Sequence, residues 1–454
     1  MDLNQLAISL VKIIAVLAWV YGLLWAVGRK PWWAKALGIV IAFGIIQLAL
    51  TPINGTQVFN DFDRGLLFQA CGMTMVALGL NLIYGFNGQF SLGQWGFYGI
   101  GAYTAADVTY RWVNHDASGL LVGGLLVILV GLMILVVGRL IARYKGMPVL
   151  SQFTLYLIGA GVAAVISVLI GNAIANAIAP AFGAADASNS VLLGNVAQNV
   201  ILVLAVLVGG AFAAEVSFLF GLPVLSLGSD YFGIATLGFT IVVQTLLVNT
   251  DTLLPFPEMK GGRGMIGIPK LTTWFWAFVF MLAVIIVMRN LIYSSTGRAI
   301  ISVREDETAA KSMGIDIARY KLLAFVIGSL FAGIGGGIYA HYIGFLSPAT
   351  FSFLLGFNPL IIIVFGGLGS MTGTIAASFG WIFFLEGLLR VILGQLGTEA
   401  PTWRFVLYPI TLLMLMLLRP QGLLGGVEWG FLRHPKVAVR TSETTQGVPV
   451  PAGK

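Results

Sequence analysis

The sequence predicts an all-α integral membrane protein, a polytopic helical bundle of about 10 to 13 spans. Two observations lead to this prediction. The 454 residues are 58% hydrophobic and 9% charged, whereas soluble globular domains carry about 25% charged residues. The apolar residues also fall into runs that match the ~20 residues needed to cross a bilayer core. This chain has too little polar surface to coat a soluble globule, so the soluble classes are excluded.

The apolar runs define the candidate spans. Helices are expected for them because backbone polar groups find no water in lipid. Several runs are short or rich in glycine, and we expect some of these to be broken or re-entrant. The runs fall at residues 8–28, 36–52, 65–85, 91–107, 118–138, 149–175, 191–214, 231–250, 271–291, 321–343, 355–370, 373–394 and 405–418.

The runs divide the chain into three regions. Residues 1–64 hold the first hydrophobic spans, and residues 65–425 form the main transmembrane domain, which contains a charged loop at 295–320. Residues 426–454 contain several prolines and few apolar residues towards the end, which predicts a flexible cytoplasmic tail.

Clusters of Lys and Arg give the orientation. They lie near residues 29–35, 139–145, 289–298 and 419–440, between or after apolar runs. The positive-inside rule places all four on the cytoplasmic side, which about 13 spans would satisfy with the N-terminus outside. The net charge of +7 is therefore explained by topology, and no nucleic-acid partner is expected.

One stretch, "GRAIISVREDETAAKSMGID" at 297–316, departs from the apolar pattern. From 298 to 319, which we call the charged segment, eight of 22 residues are charged, four of each sign. Ser302 and Glu305 have the spacing of a capping box, which predicts a helix starting near Val303. Gly314 is placed to end it, and Asp316 to cap the next helix.

The residues leave three interpretations of this segment open. It could be a solvated connector, a helix that docks on another protein, or a helix lying on anionic lipid, although the last usually has a surplus of Lys and Arg. Glu307 and Lys311 have the spacing of a favourable ion pair. Ala309 and Ala310 are expected to form a small-residue face that allows close packing.

The motifs of common catalytic sites do not occur. The sequence has no G-x-x-x-x-G-K-[ST] and no G-x-S-x-G, its three histidines are widely spaced, and its one cysteine, Cys71, lies in an apolar run. Nucleotide binding by a P-loop and a clustered metal site are therefore not expected. The clearest ionisable residues within spans are Lys12, Glu386 and Arg390. Lys12 is expected to reach towards water from a span end, and Glu386 and Arg390, four residues apart, could equally be a structural pair.

The stretch "NLIYGFNGQFSLGQ" places uncharged polar residues among glycines at membrane depth. Buried amides are unfavourable unless they are hydrogen bonded. These side chains therefore either pack between helices or line a wet translocation path across a broken helix. The candidates for the path are Asn81, Asn87, Gln89, Ser91 and Gln94.

Two more glycine patterns suggest local structure. "FGGLGSMTG" at 365–373 is a second candidate break. Gly333 and Gly337 form a small-xxx-small pair, which favours a close helix contact over a solute site.

Several of these stretches resemble one family. "REDETAAKSMGI" resembles the cytoplasmic E-x-A-A-x-x-x-G motif of bacterial ABC importer permeases, and its surroundings are similar to branched-chain amino-acid permeases of the LivM type. The stretches 79–106, 229–247 and "LRPQGLLG" at 418–425 resemble the same family. The resemblance covers residues 79–107 and 220–425, while the region 108–215 matches less clearly.

The resemblance implies a permease subunit of an ATP-driven importer in the bacterial inner membrane. It implies a second, related permease subunit, two cytoplasmic ATPase subunits and a periplasmic amino-acid binding protein as partners, with ATP and Mg used by the ATPases and no cofactor bound here. The charged segment would be the coupling helix. Its expected ATPase-coupling residues are Arg304, Glu305, Asp306, Glu307, Ala309, Ala310, Lys311 and Gly314.

The substrate expected from the resemblance is a branched-chain amino acid, although related permeases carry other amino acids, amides or urea. An autonomous secondary carrier or channel for a small polar solute is the alternative. A membrane enzyme is disfavoured, because the sequence has no recognisable catalytic cluster.

Overall fold

The computed structural model describes residues 3–26, 31–51, 59–143, 148–185, 191–225, 229–253, 259–389 and 421–432, with isolated positions between 403 and 419. The first eight α-helices are α1 (Leu3–Ala26), α2 (Trp32–Leu50), α3 (Asp61–Leu80), α4 (Gln94–Val113), α5 (Ser118–Arg143), α6 (Val149–Ala185), α7 (Val191–Val224) and α8 (Ser229–Val248). The remaining α-helices are α9 (Thr250–Leu253), α10 (Trp274–Ile292), α11 (Ser295–Glu305), α12 (Glu307–Ser312), α13 (Ile317–Ile343), α14 (Phe357–Gly366) and α15 (Met371–Ile382).

The architecture is the expected helical membrane bundle. Within the described residues, nine helices are long and apolar enough to cross a bilayer, and residues 10–25 and α14 form shorter apolar helices. The strands seen in these ranges are β1 (Met265–Ile266) and β2 (Phe345–Leu346), which pair antiparallel. The predicted fold class is confirmed. Most of the predicted span 405–418 lies outside the described residues.

Glycines allow α13 to sit at the centre of the bundle, against α3, α4 and α7. A Cβ added to Gly101 of α4 would lie 2.2 Å from the carbonyl oxygen of Gly333. One added to Gly333 would lie 2.7 Å from the Cβ of Ala213 in α7. The sequence interpretation of Gly333 as a helix-contact residue is confirmed. These backbones approach as closely as small residues permit.

Contacts place the described ends of several basic regions on one side of the bundle. Arg139 at the end of α5 and Arg319 at the start of α13 line the same cavity. The end of α1 packs on residues 430–432, and the Tyr293 hydroxyl, just after α10, donates to the carbonyl oxygen of Leu432 at 2.5 Å. The positions agree with the sidedness predicted from charge. We call this side cytoplasmic.

Two sequence expectations differ from the structure. Lys12 does not reach towards water; it forms an ion pair with Asp63 at the start of α3 and lies over the Phe59 ring. The predicted tail 426–454 is wrong for residues 426–432, which pack on the bundle through the buried Leu432. Residues 433–454 lie outside the described ranges.

Candidate functional site: a junction of two broken helices and the charged segment

The first helix break follows α3. A π-helical turn, Asn81–Phe86, continues α3, and the chain then runs without helix until α4 starts at Gln94. Gly88 has φ +76°, a left-handed conformation that glycine adopts without strain. The predicted break is confirmed, and all five path candidates, Asn81, Asn87, Gln89, Ser91 and Gln94, are buried in it.

The second break separates α14 from α15. Helix α14 ends at Gly366 and α15 begins at Met371, as the "FGGLGSMTG" pattern predicts. Gly367 and Gly369 have φ of +115° and +79°, so the turn needs residues without a Cβ. The Ser370 side chain caps α15 by accepting from the Gly373 N–H at 3.0 Å.

Asn81 joins the two breaks. Its Oδ1 accepts from the Gly369 N–H at 2.9 Å. Its Nδ2 donates to the Ser370 carbonyl at 3.0 Å and to the Thr374 hydroxyl at 2.8 Å. We call residues 81–93 and 366–374 together the junction. In this conformation Asn81 holds the two parts of the junction together.

The other path candidates are less completely paired. The Asn87 side-chain amide donates to Gln89 Oε1 at 2.7 Å, and Ser91 Oγ accepts from the Gly93 N–H at 3.3 Å. Within the described part of the chain, Asn87 Oδ1 and both amide atoms of Gln94 are buried without a hydrogen-bond partner. An unsatisfied buried polar group costs about 1–3 kcal/mol. A water molecule or a polar solute that reached these atoms would remove that cost.

The charged segment folds differently from the single helix expected. Helix α11 begins earlier, at Ser295, and the Ser294 side chain caps it by accepting from the Gly297 N–H. The predicted capping box of Ser302 and Glu305 is wrong, because the Ser302 hydroxyl donates back to the Ala299 carbonyl at 2.8 Å. Local spacing could not distinguish a helix start from a serine within a continuing helix.

The chain then turns at Asp306 into α12. The Asp306 carboxylate accepts from the N–H groups of Thr308 and Ala309 at 2.7 and 3.0 Å. Helix α12 is therefore six residues long, rather than about eleven. Its C-terminal end is as predicted. Gly314 follows it at φ +80°, and Asp316 caps α13 by accepting from the Arg319 N–H at 3.2 Å.

The ion pair expected within the segment is replaced by a longer-range one. Glu307 pairs with Lys321 of α13, with Oε1 and Nζ 2.6 Å apart, and not with Lys311. This contact fastens α12 to the first turns of α13. The sequence could not indicate it, because the turn at Gly314 sets the direction in which α12 folds back.

The exposed face of α12 is narrower than predicted and carries one large apolar side chain. Ala309 is exposed, but Ala310 is 4% exposed and packs inwards, so the expected two-alanine face is reduced to Ala309. Glu305, Asp306, Glu307, Lys311 and Gly314 are also exposed. Met313, which the sequence interpretation missed, is 82% exposed beside them.

Arg304 connects the charged segment to the junction. Its guanidinium donates to the carbonyl oxygen of Gly85 in the first break. A Cβ added to Gly369 in the second break would lie 2.9 Å from the same guanidinium. One added to Gly88 would lie 3.2 Å from the Arg304 Cγ. Arg304 therefore lies against both breaks at the C-terminal end of α11.

A C-terminal strap, residues 421–432, closes the other side of the second break. The Leu423 and Leu424 N–H groups donate to the carbonyls of Phe365 and Gly366 at 2.9 and 3.1 Å. Glu428 accepts from the Met371 N–H at 2.7 Å, and from the Thr372 N–H and hydroxyl at 3.1 and 2.5 Å. A carboxylate at a helix N-terminus is favourable.

The surroundings of Glu428 change its proton affinity. Burial raises the pKa of the Glu428 carboxyl above its ordinary value of 4.5, while the hydrogen bonds from Thr372 and Met371 act in the lowering direction. Desolvation outweighs the hydrogen bonds. No local sequence signal links Glu428 to Met371, since the two are far apart along the chain.

A carboxylate that the sequence interpretation missed lies away from the junction. Glu215 of α7 is 9% exposed, and within the described residues its Oε2 has no hydrogen-bond partner. Its Oε1 lies against Gly131 of α5.

Two other sequence expectations concern ionisable residues. The possible pair of Glu386 and Arg390 is not tested, because Arg390 lies outside the described residues. The described residues also contain no cluster of His, Cys, Asp and Glu suited to a metal ion.

A family profile described as "Branched-chain amino acid transport system / permease component" matches residues 64–171 and 132–417. The chain belongs to this family. With its apolar helices it is a multi-pass protein of the bacterial inner membrane.

Relatives agree with this assignment. The permease is 32% identical over 252 residues to the high-affinity branched-chain amino acid transport system permease protein LivM of Escherichia coli K12, covering 48% of this chain and 56% of that protein. It is 25% identical to the probable LivM of Methanocaldococcus jannaschii, covering 53% of this chain and 73% of that one. The sequence resemblance to the LivM type is confirmed.

A related subunit type also matches. The permease is 28% identical over 207 residues to LivH of Escherichia coli K12, covering 43% of this chain and 64% of that protein. The matched part spans a little over half the length of the first LivM relatives. No solved structure matches the chain significantly.

Proposed function

We propose that this permease forms half of the translocation path of an ATP-driven importer, and that the charged segment couples it to separate ATPase subunits. The observation that carries the proposal is the Arg304 contact with Gly85, which joins an exposed cytoplasmic segment to a broken membrane helix. A connector without a coupling role would need no such link to the interior.

The mechanism follows from the contacts around α11 and α12. Exposed Ala309 and Met313 would seat in a groove on an ATPase subunit. Closure of the ATPases on ATP would move α12, and α11 with it. Because Arg304 holds the Gly85 carbonyl, the first break would move relative to the second, and the Asn81 bonds between them would be exchanged.

The proposed substrate is a branched-chain amino acid. Such a zwitterion needs polar contacts for its two charged ends and an apolar surface for its side chain. The unpaired amide atoms of Asn87 and Gln94 supply neutral polar groups beside the first break. The LivM relatives are named for branched-chain amino-acid transport, which supports the same substrate class.

The proposed assembly has four further kinds of component. A second, related permease subunit would complete the path, as the LivM and LivH relatives suggest. Two cytoplasmic ATPase subunits would use ATP and Mg, a periplasmic binding protein would deliver the amino acid, and this chain would bind no cofactor. The sequence contains no P-loop, which supports placing the nucleotide chemistry on partners.

Reconstitution tests the proposal. Proteoliposomes holding this permease alone should take up no leucine, isoleucine or valine against a gradient. Uptake should require the second permease, the ATPases, the binding protein and ATP. Robust concentrative uptake by this chain alone would overturn it.

One observation favours the alternative of an ion-driven carrier, namely buried Glu215, whose Oε2 has no hydrogen-bond partner among the described residues. Intramembrane carboxylates commonly serve proton relays. However, Glu215 lies against Gly131 of α5 and outside the junction. In the complete importer, Glu215→Gln should leave ATP-driven uptake unchanged. Loss of uptake together with its pH dependence would support the carrier.

A further inference from the structure

A cavity of about 910 Å³ opens where the cytoplasmic ends of α5, α6, α7 and α13 meet. It lies outside the junction, and the functional proposal makes no use of it. Two of its walls belong to α5 and α6. Its volume is within the usual range of small-molecule sites, about 300–1,000 Å³.

The mouth of the cavity is polar and carries positive charge. Arg139, Gln152, Asp316 and Arg319 line it. The Asp316 carboxylate already caps α13, and the two guanidiniums have no ion-pair partner in the part of the chain that the structure describes. Two arginines against one carboxylate leave one net positive charge, which suits a singly charged anion.

The interior of the cavity is apolar and lies deeper in the membrane. Leu135, Tyr156, Phe218, Leu222 and Leu322 form its walls. In α5, Leu135 precedes Arg139 by four residues, and in α13, Leu322 follows Arg319 by three. At 1.5 Å per residue, these two leucines lie about 4.5–6 Å further from the cytoplasm than the arginines of their helices.

The cavity also opens sideways towards the bilayer. Leu135 lines it and is 62% exposed, and Leu157 and Ile158 on the neighbouring α6 are exposed as well. Exposed leucine and isoleucine at this depth face hydrocarbon. An occupant with an acyl chain can therefore enter from the membrane, whereas the apolar walls give a small soluble anion no favourable contact.

We propose that this cavity binds an anionic phospholipid of the cytoplasmic leaflet. The phosphate lies between Arg139 and Arg319, whose planar guanidiniums can each bind phosphate oxygens through two N–H groups. One acyl chain lies along Leu222 and Leu322. The lipid thus bridges α5 and α6 to the first turn of α13, at the end of the charged segment.

Native mass spectrometry of the full chain in neutral detergent tests the site, with dioleoyl phosphatidylglycerol and dioleoyl phosphatidylcholine titrated separately. We expect phosphatidylglycerol to bind more tightly. Arg139→Gln with Arg319→Gln should weaken that binding about 25-fold, since each arginine near a membrane surface contributes about a factor of five. Leu222→Trp, which fills the cavity and keeps both charges, should weaken it too.

The matched control is Arg143→Gln with Arg298→Gln. It removes two exposed arginines from the same side of the membrane without touching the cavity lining. The control should bind phosphatidylglycerol as the wild type does, and sn-glycerol 3-phosphate should not compete.

Four results would each overturn the proposal: unchanged binding in the double lining variant, equal loss in the control, equal affinity for both lipids, or displacement by the soluble phosphate. Wild-type binding by Leu222→Trp would place the lipid elsewhere and overturn it as well.

Discussion

At the scale of single residues, Arg304 is the side chain that brings the charged segment into contact with the membrane interior. It begins at the end of α11, and its guanidinium reaches the Gly85 carbonyl, with Gly369 alongside. Both neighbours are glycines, so the guanidinium contacts backbone and no side chain can move aside. A change at Arg304 therefore acts directly on the two breaks.

Replacing Arg304 tests this link. A hydrogen bond to a charged group contributes about 1.5–3 kcal/mol, so Arg304→Ala should lower ATP-driven uptake by the assembled importer about tenfold or more. ATPase binding should remain, because Arg304 faces the junction. The control is Arg298→Ala on the same helix, whose side chain bonds only the Tyr293 carbonyl among the contacts described. Equal uptake by Arg304→Ala and wild type would contradict the role.

Met313 gives a second prediction at this scale. A methionine 82% exposed on a polar cytoplasmic segment suits burial in a partner's groove. Fully burying such a side chain contributes about 1.5–3 kcal/mol, so Met313→Ala should weaken binding of the ATPase subunits at least about tenfold. Surface plasmon resonance on the solubilised permease measures it.

A charge placed beside Met313 should act in the same way. Ala309→Glu should weaken ATPase binding, whereas Ser295→Glu, on the exposed first turn of α11, should not. Equal effects of these two substitutions would show that added negative charge matters more than the docking face.

The residue scale also shows how far local sequence signals reach. Gly314 and Asp316 were predicted correctly because a left-handed C-cap and an N-cap are determined by nearest neighbours. The partner of Glu307 was predicted incorrectly, because Lys321 approaches only after the chain has turned. Met313 and Ala310 could not be assigned to exposed or buried faces without knowing where α12 ends.

At the scale of elements, the C-terminal strap completes α15. Glu428 supplies acceptors for the first N–H groups of α15, while residues 423–424 add hydrogen bonds to the end of α14. The strap thus provides hydrogen-bond partners for backbone groups that have none within the helices at the second break. The sequence predicted the break from its glycines. It did not predict the strap, because the composition of residues 426–454 is typical of a flexible tail.

Acid should strengthen the strap. Because burial raises the pKa of Glu428, the folded state holds a proton in a pH range where the unfolded chain has lost it, so stability falls as pH rises through that range. The thermal midpoint of wild type minus that of Glu428→Gln should therefore decrease as the pH rises above the ordinary carboxyl pKa of 4.5. A difference independent of pH would contradict the raised pKa.

The packing of α13 gives a further prediction for elements. Gly333→Val would force side-chain atoms into Gly210 and Ala213 of α7, where the added Cβ alone would lie 2.9 and 2.7 Å from atoms of these residues. Overpacking of this kind costs about 1–3 kcal/mol. The thermal midpoint in detergent should fall clearly. Gly161→Val on α6, where an added Cβ meets nothing within 4 Å, is the matched control and should change little.

At the scale of the whole molecule, hydropathy predicted the class and the order of the spans, and the membrane side assigned to the basic regions from charge stays a prediction. The bilayer imposes these properties on continuous stretches of sequence, so they can be recognised without knowing the tertiary contacts. The contact between the two breaks at Asn81 was not predictable, because it joins residues that are far apart along the sequence. The five polar side chains were found by their unusual type at membrane depth; whether they line the path remains a prediction.

Sidedness can be measured on intact cells. The native Cys71 is fully buried, which keeps background labelling low. Met313→Cys and Ile266→Cys place single exposed thiols on the charged segment and on β1 at the opposite end of α13. A membrane-impermeant maleimide should label Ile266→Cys from outside, and Met313→Cys only after permeabilisation. The reverse pattern would invert the topology.

The central position of α13 also has a consequence for biosynthesis. Helices α3, α4 and α7 leave the ribosome long before α13, yet the surfaces they pack together are completed by it. Until residue 343 has entered the bilayer, the glycine faces of Gly79, Gly101 and Gly210 have lipid as their neighbour instead of a helix. Helices α4 and α7 can already pack on each other at that stage. We expect the contacts of α13 with α3, α4 and α7 to form late, when α13 inserts between helices that were made well before it.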